Sequence, residues 1–212
     1  MSELHPRSSW AVREDAYLPP LRSYPAAEVY IHHTVGSLEG SDIDLDNDGL
    51  SDSFEQLNRD IEDFHMDVRG WNAGAYNHTV SHKGHRAEMR GWRSQGGATG
   101  SPQDSYSISI SAHGNYAGVH KVTKELIRAI VETIADGIEQ GHLVPLNQLN
   151  IKGHQEKPFA TACPGDLMKF IPSMKRRVRN ELRRRRILRR IAVLREEVAK
   201  NRAKIARLRK KL

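Results

Sequence analysis

Apolar and polar residues alternate in several short stretches of the chain, and this spacing predicts β-strands. Glu28–His33 is rich in β-branched and aromatic residues, and Ser107–Ala112 alternates strictly between small and apolar side chains. Ala75–Ser81 and Leu149–Ile151 show the same tendency over shorter lengths. Because successive strand side chains point to opposite faces, each stretch can bury one face in a core. The pattern therefore predicts strands of one central sheet.

A helical spacing of apolar residues separates these strands. Phe54–Val68 carries apolar residues three and four positions apart, and Val122–Gln140 does so over a longer run that ends before Gly141, a residue suited to a helix C-terminus. Strands and helices thus follow one another along the chain. We predict an α/β fold, with a mixed central β-sheet flanked by helices.

The last part of the chain has a different period, with alternating spacings of four and three residues. The positions concerned are Ile187, Ile191, Leu194, Val198, Asn201, Ile205, Leu208 and Leu212. Such a heptad repeat is typical of a parallel two-stranded coiled coil, so homodimerisation through residues 187–212 is one interpretation. The alternatives are an amphipathic helix lying on an anionic surface, or a helix packed against the chain's own domain.

Charge divides the chain at the same place. The 212 residues carry a formal net charge of +7, but residues 174–212 hold 18 Lys or Arg and 3 Glu, a net of +15, which leaves −8 for residues 1–173. We therefore predict a domain over 1–173 followed by a basic helical or coiled-coil tail over 174–212. The single cysteine excludes an internal disulfide framework, and the N-terminus lacks the basic-then-apolar pattern of a signal peptide.

The cysteine and three histidines could form a metal site. His154 and Cys163 lie nine residues apart in a loop, and His32 and His33 are neighbours on a predicted strand, so only one of that pair can join a given site. Two imidazoles and one thiolate form a three-ligand zinc set with an open fourth position. The alternative is a small buried cysteine without a metal, because spacing alone is a weak signal.

An acidic loop fits the twelve-residue calcium pattern. The candidate ligands are Asp44, Asp46, Asp48, Leu50 through its carbonyl, Asp52 and Glu55, with Gly49 at the sharp turn. Five carboxylates this close would repel each other without a cation. The loop, residues 42–55, is therefore predicted to bind Ca²⁺, and the alternative is a solvated acidic turn that caps the next helix.

Seven short sequence motifs follow one another along the chain. They are Arg7–Trp10, Tyr30–Thr34, Phe64–Trp71, Tyr76–Asn77, Arg90–Trp92, Ser107–Tyr116 and Gly153–Gly165. This set resembles the type 2 N-acetylmuramoyl-L-alanine amidase family, which includes peptidoglycan recognition proteins and short bacteriophage endolysins. The resemblance covers about residues 7–172.

The resemblance implies a zinc amidase that cuts the amide between N-acetylmuramic acid and L-alanine in peptidoglycan. His32, His154 and Cys163 match the zinc ligands, and Tyr76 and Thr161 match active-site positions whose hydroxyls could stabilise a developing oxyanion. The alternatives are a half-buried strand aromatic for Tyr76 and a loop hydroxyl bonded to its own backbone for Thr161.

Two of these motifs each contain a tryptophan. Trp71 and Trp92 are candidate substrate contacts as groove walls, and they fit equally well as core residues.

Together these features favour a phage-type endolysin that lyses bacterial walls. It would be made without a signal peptide in the cytoplasm of an infected host and would act on the wall after release. The alternative is a non-catalytic peptidoglycan-binding protein on the same fold.

The tail is expected to bind anionic envelope polymers or lipids. Nucleic acid is not expected as its functional partner, because residues 174–212 contain no aromatic platform for base stacking.

Overall fold

A computed structural model describes residues 3–40, 53–156 and 161–210. Within these ranges the strands are Leu4–His5 (β1), Glu28–His33 (β2), His78–Val80 (β3), Arg86–Glu88 (β4), Ser107–Ala112 (β5) and Asn150–Gly153 (β6). The α-helices are Phe54–Asp63 (α1), Lys124–Glu139 (α2) and Ile171–Arg209 (α3). None of these helices is both long enough and apolar enough to cross a membrane.

The strands form one mixed sheet in the order β1-β4-β3-β5-β2-β6. Only the β3–β4 pair is antiparallel, and the other neighbours run parallel. β2 lies between β5 and β6, with His32 in register with Ser111 and Ile31 in register with Gly153. The predicted α/β fold with a mixed central sheet is therefore confirmed.

The core lies between the sheet and the helices α2 and α3. Val29 and Ile31 of β2 point toward it, together with Ile108 and Ile110 of β5 and the apolar face of α2. The Thr123 hydroxyl accepts a hydrogen bond from the backbone N–H of Leu126 over 3.0 Å and so caps the start of α2. The main core cluster spans β2, β3, β5, α2 and the start of α3.

α1 begins at Phe54, near the end of the acidic loop predicted over 42–55. The Ser53 hydroxyl accepts a hydrogen bond from the backbone N–H of Gln56 over 3.1 Å, which satisfies a free donor at the helix start. The helix predicted over 54–68 ends as a regular α-helix at Asp63 and continues as a π-type turn over Phe64–Val68. This wider turn changes the direction of the chain just before Trp71.

α3 runs through the predicted domain boundary at 173/174 without a break. Met174 and Val178 belong to the main core cluster. Arg185 is 4% exposed and forms ion pairs with Asp136 at 2.6 Å and Glu139 at 2.9 Å, both on α2. α3 thus packs against α2 as far as Arg189, beyond the predicted boundary, and the division into a domain and a tail stays a prediction.

Candidate functional site

The two adjacent histidines of β2 point to opposite faces of the sheet. His33 faces the core side, where its Nδ1 accepts a hydrogen bond from the backbone N–H of Tyr116 over 3.0 Å. His32 faces the other side and is 1% exposed. Burial, with His154 nearby, holds the pKa of His32 well below its ordinary value, so the imidazole is neutral and able to act as a ligand. Strand alternation therefore selects His32 for the site.

β6 lies parallel to β2 and brings the second histidine to the first. His154 follows the last residue of β6 directly, in a short 3₁₀ turn. The backbone N–H of Gln155 donates to the carbonyl oxygen of Cys163 over 2.8 Å. This hydrogen bond joins the two sides of the loop that carries the remaining ligand. Residues 157–160, which lie between Gln155 and Cys163 in the sequence, are outside the described part of the chain.

His32, His154 and Cys163 meet in one cluster. Their ligand atoms lie within 4.8 Å of one another. The His32 Nδ1 and Cys163 Sγ atoms are 3.8 Å apart, and the two imidazole centroids are 4.6 Å apart. Donors of these types surround zinc at about 2.0–2.3 Å, so a small inward adjustment would accommodate one ion.

Two further observations fit a cation at this cluster. The Nε2 atom of His32 is buried and has no hydrogen-bond partner among the described residues. Burial raises the pKa of the Cys163 thiol to about 12, so without a nearby positive charge this group stays protonated. A half-buried thiol beside two imidazoles is the donor set that a zinc ion converts into a thiolate site.

Tyr76 lies beside the cluster. Its ring centroid is 5.7 Å from that of His32. Burial raises the pKa of the Tyr76 hydroxyl, with the Cys163 sulfur as a smaller cause. The hydroxyl therefore keeps its proton at neutral pH and can act as a hydrogen-bond donor.

His65 is a site residue that the sequence analysis did not select. Its Nδ1 accepts a hydrogen bond from the backbone N–H of Ala75 over 3.1 Å, next to Tyr76. Its ring stacks on Trp71 at 4.8 Å with an interplanar angle of 24°. Burial, with Arg90 nearby, lowers the pKa of His65 to about 4, so the ring is a neutral acceptor. The motif Phe64–Trp71 contained this residue, but only the fold shows that it supports both Trp71 and Tyr76.

The remaining predicted residues have different surroundings. The Thr161 hydroxyl accepts a hydrogen bond from the backbone N–H of Cys163 over 3.2 Å, so it is held next to the ligand sulfur by its own loop. Trp71 is 42% exposed and borders a surface cavity of about 280 Å³ together with Gly70, Asn72, Arg90 and Gly97. Its exposed ring is therefore accessible to a ligand.

Trp92 does not lie at a groove wall. It is 5% exposed, and its ring stacks on His142 at 5.4 Å and contacts His78 at 4.0 Å between centroids. A Cβ placed on Gly137 of α2 would meet the same ring at 2.7 Å. The substrate role predicted for Trp92 is thus corrected: it is a core residue, because α2 packs directly over it.

The calcium loop falls mostly outside the described residues. Of its predicted ligands, Asp44, Asp46, Asp48, Leu50 and Asp52 lie there, and only Glu55 is described. Glu55 lies in the first turn of α1, with its Oε1 atom 3.2 Å from Nδ1 of His5. The assignment of calcium therefore stays a prediction.

Comparison with curated proteins finds relatives over most of the chain. Peptidoglycan recognition protein 1 of Mus musculus is 32% identical over 161 residues, which cover 76% of this chain and 81% of that protein. Peptidoglycan-recognition protein SC2 of Drosophila simulans is 31% identical over 159 residues, covering 75% and 78%. The predicted localisation in the cytoplasm of a phage-infected host is wrong by this comparison, because these relatives are recognition proteins of mammals and insects.

Solved structures show the same fold. Drosophila PGRP-LB matches with a TM-score of 0.68 and 26% identity over 82% of this chain and 94% of that one. PGRP-LE in complex with tracheal cytotoxin, a monomeric diaminopimelic acid-type peptidoglycan, matches with a TM-score of 0.65 and 29% identity over 80% and 92%. The family model for N-acetylmuramoyl-L-alanine amidase matches residues 22–166. The chain therefore belongs to the N-acetylmuramoyl-L-alanine amidase family, whose relatives here include the peptidoglycan recognition proteins.

Proposed function

We propose that this protein is a zinc-dependent amidase that hydrolyses the bond between N-acetylmuramic acid and the L-alanine of the peptidoglycan stem peptide. The observation that carries the proposal is the convergence of His32, His154 and Cys163, whose ligand atoms lie within 4.8 Å of one another. Hydrolysis adds water across the amide and yields a lactyl carboxylate on the sugar and a free amino terminus on L-alanine.

The three ligands would hold zinc with a fourth position open. A zinc ion in such a set supplies Lewis acidity, which polarises a carbonyl and lowers the pKa of bound water. The protein contributes to the donor set through the backbone N–H of His33, which donates to Cys163 Sγ over 3.3 Å. Such a hydrogen bond favours the thiolate and fixes the direction of the sulfur.

Tyr76 would act on the substrate carbonyl. Because its pKa is raised, the hydroxyl keeps its proton at neutral pH and can donate a hydrogen bond. Negative charge develops on the carbonyl oxygen during amide hydrolysis, and a donor aimed at that oxygen stabilises the transition state more than the ground state. Thr161, held beside Cys163, is the second candidate donor to the same oxygen.

Trp71 would form part of the wall for the sugar or the stem peptide. Its exposed ring is fixed by the stack on His65, so little side-chain freedom would be lost on binding. Aromatic faces provide apolar contact area for such ligands.

A non-catalytic recognition protein is the alternative, and the ligands bound in two similar structures favour it. PGRP-LE is described in complex with tracheal cytotoxin, and human PGRP-IβC in complex with a muramyl pentapeptide. A protein that only binds peptidoglycan has no need of a half-buried thiol beside two imidazoles. We therefore rank the amidase first.

Digestion of purified peptidoglycan tests the proposal. Wild-type protein is expected to release stem peptides that begin with a free L-alanine amino group, detected by mass spectrometry. Cys163→Ser is expected to lose both bound zinc and this product. His85→Gln, which changes an exposed histidine outside the cluster, serves as the matched control and should retain both. Binding without new L-alanine termini would favour the recognition protein.

We further propose that residues 42–55 bind Ca²⁺. The proposal is supported by the ligand pattern in the sequence and by the start of α1 at Phe54, which places the last ligand, Glu55, in the first helical turn. Titration calorimetry with CaCl₂ should show binding that Asp46→Asn with Asp48→Asn abolishes. Wild-type protein that releases no heat with Ca²⁺ would contradict the proposal.

A further inference from the structure

The apolar side of α3 changes along the helix. In its first half the core-facing residues are Met174, Val178 and Leu182, with the buried Arg185 beside them. Val178 and Ile187 are nine residues apart, which corresponds to a rotation of about 180° at roughly 100° per residue. The apolar row that begins at Ile187 therefore lies on the side of the helix opposite to the core.

This second row, here called the exposed row, is not covered by any part of the chain that the structure describes. It consists of Ile187, Ile191, Leu194, Val198, Ile205 and Leu208, whose exposed fractions lie between 38% and 54%. Every residue from 186 to 210 is exposed. Because the exposed row points away from the domain, packing against the chain's own core, one of the three interpretations of the sequence, does not occur in this structure.

Arginines line one edge of the exposed row. Arg195, Arg202 and Arg209 are spaced seven residues apart, so they lie in line along the helix. Residues 187–210 contain nine Lys or Arg and only two Glu. An apolar row bordered by this much positive charge is the composition of a helix that lies in the interface of an anionic membrane.

Pairing with a second copy is opposed by these charges. In a parallel coiled coil the residues flanking the seam would place Arg190 of one copy near Arg195 of the other, and Lys204 near Arg209. Only Glu197 near Arg202 would form an opposite-charge pair. Repulsive contacts thus outnumber attractive ones in the register that the heptad sets, and the charge pattern favours an anionic partner.

The same face continues onto the domain. Arg177 and Arg184 precede Ile191 and Val198 at seven-residue intervals, so they share one side of α3. Both arginines border a groove of about 620 Å³ between α2 and α3. The groove is also lined by the basic Lys124 and Arg128, by Phe170, and by Glu181, which pairs with Arg184 over 2.8 Å; Ile127 and Val131 form its buried floor. The exposed row and the arginines beside it therefore belong to one strip of α3, whose basic part extends beyond the tail to Arg177.

We propose that this strip docks on the surface of an anionic phospholipid bilayer, with α3 lying in the plane of the headgroups. The exposed row enters the boundary between headgroups and acyl chains, while Arg195, Arg202 and Arg209 contact phosphates. Neither of these two membrane contacts involves His32, His154 or Cys163, so the proposal stands apart from amidase activity.

Vesicle sedimentation with the full-length protein tests this proposal. Vesicles of equimolar phosphatidylglycerol and phosphatidylcholine are expected to bind wild-type protein, and pure phosphatidylcholine vesicles are not. Arg195→Glu with Arg209→Glu should weaken binding by on the order of 30-fold or more, from the usual contribution of each basic residue near an anionic surface. The matched control, Lys200→Glu with Arg207→Glu, makes the same charge change on the opposite side of the helix and should weaken binding less.

Two further measurements distinguish a membrane from an anionic polymer and from a second copy of the chain. Ile191→Ser with Val198→Ser keeps every charge and should still reduce vesicle binding at least tenfold; unchanged binding would overturn the proposal in favour of a purely electrostatic contact, as with an anionic polymer. Light scattering should find wild-type monomers. A stable wild-type dimer, made tighter by the Arg195→Glu and Arg209→Glu pair, would overturn the proposal in favour of self-association.

Discussion

The backbone N–H of His33 donates a hydrogen bond to the Cys163 sulfur over 3.3 Å, although 130 residues separate them in the chain. The imidazole of His33 points the other way, into the core, where it accepts from Tyr116. One residue of β2 thus fixes the ligand sulfur through its backbone and the core through its side chain. The position of the Cys163 sulfur therefore depends on the central sheet.

Tyr76→Phe tests whether the hydroxyl stabilises the transition state. The substitution removes one donor and keeps the ring that lies 5.7 Å from His32, so zinc content and the free energy of unfolding should change little. Removing a single oxyanion donor typically lowers kcat by about 10²-fold or more. Steady-state kinetics on a soluble muramyl peptide give the result. An unchanged kcat would show that Tyr76 serves only as a packing residue.

His78 should make stability depend on pH. Burial lowers its pKa to about 3, and neither ring nitrogen has a hydrogen-bond partner among the described residues. Below about pH 6.5 the unfolded chain takes up a proton that the folded chain does not. The free energy of unfolding should therefore fall as the pH drops from 7 to 5, by up to about 1.4 kcal/mol per pH unit from this one group.

Urea unfolding of wild type and His78→Phe at pH 5 and pH 7 checks this expectation. Phenylalanine fills a similar space against Trp92 and does not titrate. The variant should lose less stability than wild type between the two pH values. Equal losses in the two proteins would assign the pH dependence to other groups, of which buried His65 and His113 are the first candidates.

Arg185 should be essential for docking the first half of α3. Arg185→Met leaves Asp136 and Glu139 without this partner, and breaking a buried ion pair typically costs about 3–5 kcal/mol. Arg189→Met is the matched control, because Arg189 also pairs with Glu139 but is 63% exposed, so it should cost less than about 1 kcal/mol. Chemical denaturation of both variants gives the comparison. Similar losses would contradict a structural role specific to Arg185.

The long strands were predictable because their signal is local. β2 and β5 have the predicted bounds, since six residues of alternation or β-branched side chains mark a strand clearly. β1 and β4 were not predicted, because two or three residues carry no period and pair only through tertiary contacts. The segment predicted as a strand over 75–81 pairs only at 78–80 for the same reason.

The candidate site followed from the sequence only in part. The family motifs gave His32, His154 and Cys163, and strand alternation explains the choice of His32 over His33. The position of Trp92 could not be read from its motif, because its burial depends on Gly137, which lies 45 residues away and lets α2 approach. The role of His65 likewise depends on the π-type turn that brings its ring onto Trp71.

Zinc dependence of a single defined cleavage tests the central claim most directly. Wild-type protein stripped of metal with a chelator is incubated with a soluble muramyl peptide, and mass spectrometry follows the peptide with a free L-alanine amino terminus as zinc is added back. We predict no product from the stripped protein, recovery at equimolar zinc, and no recovery for Cys163→Ser. A wild-type protein that binds zinc and the muramyl peptide but leaves the amide intact would contradict the account.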